Sequence, residues 1–119
     1  MIYKKKRIFY VYIVSSLSGT LYVGVTDNLP LRLLQHRNGT FDGFTKKYGV
    51  NRLMYFETFT DSVAAAEREI QVKKFRREKK IALFLKSNPH WKDISRDLYG
   101  VRRGPSLRSG FLIERPQGA

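Results

Sequence analysis

With 119 residues the chain has room for one domain, whose core would take in about two thirds of the unfolded surface. Its 42% hydrophobic and 13% aromatic content suits a folded protein, and an excess of 23 Lys plus Arg over 10 Asp plus Glu calls for a polyanionic partner, with nucleic acid ahead of a membrane surface. Cysteine is absent and the histidines are His36 and His90, which excludes disulfides, thiol catalysis and thiolate- or polyhistidine-held zinc and leaves oxygen ligands for any metal.

The first elements are two short strands around Tyr10-Val11-Tyr12 and Tyr22-Val23-Gly24, joined by a polar turn from Ser15 to Thr20. Period-two alternation turns Val11 and Ile13 toward a core with Leu21, Val23 and Val25, and sends Tyr10, Tyr12, Tyr22 and Gly24 to the other face. A turn centred on Leu17 would oppose Tyr12 directly to Tyr22, with Cβ atoms roughly 5 Å apart. Gly24 beside them would leave room for a ligand's backbone. Next, Asp27 or Asn28 caps a helix of about three turns that accepts Pro30 in its first turn and stops at Asn38-Gly39. Leu31 and Leu34 mark its buried stripe, and Arg32 and His36, four residues apart, share a different face beside the tyrosines.

Thr40 to Asn51 reads as a loop, and Arg52 to Phe59 as a third strand with Leu53, Tyr55 and Glu57 on one side. Asp61 or Ser62 caps a second helix with Val63, Ala66, Ile70, Val72 and Phe75 as its apolar positions and Glu67 and Glu69 among its polar ones. The basic run Lys73 to Lys80 leads into a third helix carrying Ile81, Phe84 and Leu85, which Ser87-Asn88-Pro89 ends. Trp91 is expected to pack back on the body. Three strands and three helices in this order predict an α+β domain over residues 1–99, followed by a basic, flexible tail over 100–119.

Several segments, in order, resemble the GIY-YIG nuclease superfamily: Tyr10-Val11-Tyr12, Tyr22-Val23-Gly24, Arg32 with His36, Phe44 to Gly49, Glu69 and Asn88-Pro89-His90-Trp91. The likeness spans roughly residues 8 to 95 and is nearest to small stand-alone bacterial members, relatives of the excinuclease nuclease domain. Tyr10 stands in the place of the glycine in the name-giving triplet, and Val23 in that of isoleucine. The resemblance implies a three-stranded antiparallel sheet flanked by helices and a metal-dependent endonuclease. In it Tyr12 and Tyr22 are the catalytic phenols, Arg32 the phosphate-binding cation, His36 its helical partner and Glu69 the ligand of Mg²⁺ or Mn²⁺. Asn88 takes the place of the family's asparagine.

These residue types suit phosphodiester hydrolysis, which needs an activated water and positive charge around the phosphoryl group. An unperturbed phenol with pKa near 10 is ionised about one part in a thousand at pH 7, a cost of roughly 4 kcal/mol, which Arg32, Lys46 and a divalent ion would lower. A single carboxylate suits one hydrated ion better than a two-metal clamp. Lys46, Lys47, Lys73, Lys74, Arg76 and Arg77 are expected to track a nucleic-acid backbone, DNA first, in a repair, recombination or processing setting. The main rival is a non-catalytic module that binds DNA or RNA with the same fold. A membrane-surface protein is a weaker one: no apolar run reaches the roughly 18 residues of a span, and Lys4 to Arg7 is not followed by the apolar segment of a signal peptide, so a cytoplasmic location is expected.

Overall fold

β-Branched and aromatic residues alternate along Phe9–Ser15 (β1), which becomes the central strand of the sheet. The computed structural model describes residues 7–38 and 49–96. Within them β1 is followed by β2 (Leu21–Thr26), α1 (Leu29–Asn38), β3 (Arg52–Phe59), α2 (Ser62–Lys74) and α3 (Arg77–Leu85). The sheet order is β2-β1-β3 and both pairings are antiparallel. This is the expected α+β architecture. The expected tail over 100–119, Lys46 and Lys47 lie outside the described residues.

Both faces of the sheet are covered. On one, Val11, Ile13, Val23 and Met54 pack with Ala65 and Val72 of α2 and Phe84 of α3. On the other, Tyr12, Val14 and Leu53 pack with Leu29 and Leu33 of α1 and with Val50. At about 1.5–3 kcal/mol for each fully buried apolar side chain, these two layers hold the sheet between the helices. Asn28 begins α1, its side-chain oxygen accepting from the Leu31 backbone N–H, and Asp61 begins α2 by accepting from the Ala64 N–H.

Four local expectations are corrected. In the hairpin Tyr12 opposes Gly24 and Tyr22 opposes Val14, so the two phenols are diagonal neighbours and not a direct pair. The loop runs from Ser16 to Thr20, closed by Ser16 N–H donating to Thr20 O and by Gly19 at φ 96°, and therefore centres on Ser18. That register differs from the predicted one by an even step, which keeps every side chain on its expected face.

On α1 the buried stripe is Leu29, Leu33 and His36, while Leu31 and Leu34 are about half exposed. A histidine buried through a hydrogen bond completes the i, i+4, i+7 pattern and hides the stripe from a reading of apolar residues alone. In β3 an irregularity opposite Ile13/Val14 pairs Tyr55 with Ile13 and Leu53 with Val14, so Met54 is extra and Leu53 parts from Tyr55 to the opposite face. On α2 the sheet-facing row is Ala65, Arg68, Glu69 and Val72, whereas Val63, Ala66 and Ile70 are exposed. Arg68 sits in that row because its guanidinium reaches Glu57 of β3 with two hydrogen bonds of 2.8 Å. Glu57 also accepts from the Tyr55 hydroxyl at 2.5 Å.

Candidate active site

Tyr12, in the middle of β1, is fully buried on the α1 face of the sheet. Its ring lies across β2 at the one opposing residue without a side chain, for a Cβ on Gly24 would sit 2.5 Å from the Tyr12 hydroxyl. The space beside Gly24 is thus filled by this phenol and not reserved for a ligand's backbone, which corrects the expectation. From there the hydroxyl meets His36 Nε2 at 2.9 Å, the phenol donating when Nε2 carries no proton. His36 stands edge-on to both phenols, with ring centroids 5.7 Å from Tyr12 and 5.3 Å from Tyr22. Tyr12 is sealed, whereas Tyr22 is partly exposed.

Arg32, one turn before His36 on α1, brings its guanidinium within hydrogen-bonding reach of the same Tyr12 hydroxyl. Its Nε donates to Gln35 Oε1 at 3.1 Å, so Gln35 helps aim the cation. Sequence reasoning passed over Gln35, although its i, i+3 offset from Arg32 was the available signal. Burial pushes the Tyr12 pKa above that of an ordinary phenol; Arg32 pulls it down, and the charges of Tyr22 and Glu69 push it up further. Desolvation wins, so Tyr12 is held as the neutral phenol.

Glu69, whose charge raises the Tyr12 pKa slightly, comes from α2 on the other side of the sheet. Its carboxylate is largely covered and pairs with Lys73 Nζ at 2.8 Å, one helical turn on. Among the described residues no three or more His, Cys, Asp or Glu side chains gather as a metal cluster. Among the described residues Glu69 is a single hard carboxylate of the kind that would hold one hydrated Mg²⁺ or Mn²⁺, which would supply positive charge to a phosphate. For Glu69 to serve, the Lys73 ammonium has to give way.

The remaining predicted residues are placed elsewhere. Lys73 is engaged by Glu69, and Lys74 and Arg76 are exposed where α2 passes into α3. Arg77 donates to Gly19 O at 2.7 Å, at the tip of the hairpin and away from the phenols. Tyr10 packs edge-on against Phe56. Asn88 is buried, with its amide donating to Lys92 O at 2.8 Å and Met54 O at 3.5 Å and its oxygen accepting from Lys92 N–H, so both ends of the amide hold the 88–92 turn on β3.

Known proteins resemble this chain over most of its described length. Residues 8–82 match the GIY-YIG catalytic domain. A UPF0213 protein of Clostridium perfringens is 39% identical over 74 residues, covering 62% of this chain and 80% of the relative. A UPF0213 protein of Staphylococcus saprophyticus is 36% identical over 74 residues, 62% of this chain and 90% of the relative. A solution NMR structure of a UPF0213 protein from Bacillus halodurans is similar with a TM-score of 0.47 and 27% identity, over 75% of this chain and 95% of that one. With the catalytic-domain match running from the start of β1 into α3, the chain belongs to the GIY-YIG catalytic domain family.

Proposed function

We propose that this protein is an endonuclease that hydrolyses DNA phosphodiester bonds with one divalent ion, Mg²⁺ or Mn²⁺, in a cytoplasmic repair, recombination or processing role. The observation that carries the reading is His36 held between two phenols, with Arg32 on the Tyr12 hydroxyl and the Glu69 charge felt there. Tyr22, the more exposed phenol, first gives its own proton to solvent and then, as phenolate, takes a proton from the attacking water. Tyr12, neutral and buried, fixes His36 and Arg32 in position. Arg32 holds a phosphate oxygen of the substrate. Glu69 holds the divalent ion, which when bound supplies positive charge to the phosphoryl oxygens and the leaving oxygen. Base catalysis contributes typically about 10² to 10⁴ in rate, so most of the acceleration comes from charge around the phosphoryl group.

The test is cleavage of plasmid, single-stranded and branched DNA with Mg²⁺ or Mn²⁺ by wild type, Tyr22→Phe and Glu69→Ala. Metal-dependent cutting that both changes abolish is the expected result; cutting that persists in both variants refutes the assignment. A second reading, a module that binds DNA or RNA without cutting, draws support from the sealed Tyr12 hydroxyl and the Glu69–Lys73 pair. It predicts binding with no cleavage on any substrate. Either way, contact with five phosphates gives a log-log salt slope of about −4 to −5 on duplex DNA.

A further inference from the structure

At the hairpin end of the sheet, away from the two phenols, an open pocket of about 440 Å³ lies among Ser16, Ser18, Arg52, Arg77, His90 and Trp91. That size suits a small organic ligand, and among the described residues no acidic side chain lines it. Each arginine is steadied by one backbone carbonyl. Arg52 donates to Trp91 O at 3.0 Å, and Arg77 donates to Gly19 O at 2.7 Å while its guanidinium stands 6.0 Å from the Trp91 ring centre. Neither guanidinium has a salt-bridge partner among the described residues, and a guanidinium has five N–H donors, so most of theirs remain for a ligand.

The indole is presented at some conformational expense. Trp91 has φ 55°, the left-handed region that a bulky side chain rarely enters, and it is the only described non-glycine residue there. The 88–92 turn built on Asn88 holds it, with Trp91 N–H donating to Asn88 O, and one side of the indole rests edge-on against Phe84. On the hairpin, Gly19 lets Arg77 approach, since a Cβ there would meet its Nη2 at 3.1 Å. Leu17, which also lines the pocket, is 88% exposed at the hairpin tip. An aromatic ring, an exposed apolar side chain and two guanidiniums with spare donors match a nucleotide unit: a flat base with a phosphate on each side. Ser15, at the pocket's inner edge, is three residues along β1 from Tyr12, about 10 Å.

We propose that this pocket is a nucleotide subsite for a single strand, in which a base stacks on Trp91 and its flanking phosphates are held by Arg52 and Arg77. The subsite rests on the reading that the chain binds nucleic acid, and places a strand leaving the phenols around the hairpin end. Double-stranded substrate has no splayed base to offer, so the subsite favours single-stranded and branched ends.

Trp91 is the sole tryptophan of the chain, so its emission reports on this pocket alone. The full-length protein is titrated with fluorescently labelled eight-residue oligo-dT and, in parallel, oligo-U, reading Trp91 emission and the anisotropy of the label. Saturable quenching that tracks anisotropy for either strand is expected. Arg77→Gln should weaken single-strand binding about tenfold, as loss of a charged hydrogen bond does, and reduce its salt slope by about 0.7. Arg77 is exposed, so the variant should keep the fold, and Arg52→Gln gives an independent second variant. Oligonucleotide binding that leaves Trp91 emission unchanged and is indifferent to Arg77→Gln overturns the subsite while leaving nucleic-acid binding intact. Failure to bind any oligonucleotide overturns the subsite together with the reading beneath it.

Discussion

Replacing Gly24 with alanine adds one methyl group where the structure leaves no space for it. The new Cβ would lie 2.5 Å from the Tyr12 hydroxyl and 2.7 Å from the ring carbon that bears it. Gly24 is not among the positive-φ glycines, so alanine is compatible with its backbone and in open space would stabilise by about 0.4–1 kcal/mol. Against that gain stand about 1–3 kcal/mol for overpacking a fully buried ring and about 1 kcal/mol for the lost Tyr12–His36 hydrogen bond. The net is a loss of about 2 kcal/mol, a fall of roughly 8–16 °C in melting temperature for a domain of this size. Thermal melts followed by circular dichroism measure it, with Tyr12→Phe and the double variant completing a cycle. Because the hydrogen bond is lost only once in the double variant, its cost should fall short of the sum of the singles by about 1 kcal/mol. A Gly24→Ala protein as stable as wild type, or strictly additive costs, would refute the claim that Gly24 exists to seat Tyr12.

Two further predictions concern the charges of α2. Burial alone would raise the Glu57 pKa, but hydrogen bonds from Arg68 and Tyr55 and the Arg68 charge outweigh it and hold the carboxyl below its ordinary 4.5. The resulting stabilisation is complete above that value and is lost as pH falls through the lower folded value. Melting temperature should therefore fall more steeply from about pH 5 downward in wild type than in Glu57→Gln, and parallel curves would contradict the assignment. Lys73→Gln should change stability by less than about 0.5 kcal/mol, since the Lys73 side chain is half exposed, yet tighten Mn²⁺ binding several-fold by freeing the Glu69 carboxylate. Direct Mn²⁺ titration of the two proteins decides it, and equal affinities would show that Lys73 does not compete for that ligand.

The strand alternation was legible, and the caps of α1 and α2 were narrowed to Asp27 or Asn28 and to Asp61 or Ser62, of which the structure uses Asn28 and Asp61, because each depends on neighbours within a few residues. β3 falls at its expected bounds for the same reason. What escaped was set by partners distant in sequence. His36 is buried because Tyr12, 24 residues earlier, bonds to it, and Arg68 faces the sheet because Glu57 waits on β3. Apolar periodicity cannot register a polar residue buried by such a bond, and this is why the stripes of α1 and α2 differ from the expected ones. The Met54 irregularity left no mark in composition, and the Gly24 contact appears only once the register sets Tyr12 opposite it. Hairpin alternation linked Tyr12 with Tyr22 and helical spacing linked Arg32 with His36, and it was the ordered likeness to the nuclease superfamily that joined Glu69 to them.

The two phenols of the candidate site are set in different environments, and that difference orders the proposed chemistry. A solvated phenol costs roughly 4 kcal/mol to ionise at pH 7, and the burial that raises the Tyr12 pKa makes ionising it costlier still, even with Arg32 at its oxygen. A phenol whose proton is held by burial can still fix geometry: Tyr12 spans β2 over Gly24, anchors His36 and receives Arg32, and so carries the register of the hairpin into the placement of α1. Tyr22 is partly exposed, stacks edge-on to the same imidazole and lies diagonally from Tyr12. In the proposed reaction it is the phenol that water and a phosphate can reach, with His36 coupling it to the buried pair. Under that division of roles Tyr22→Phe removes turnover with little loss of stability, whereas Tyr12→Phe costs stability first and turnover through the displacement of His36 and Arg32.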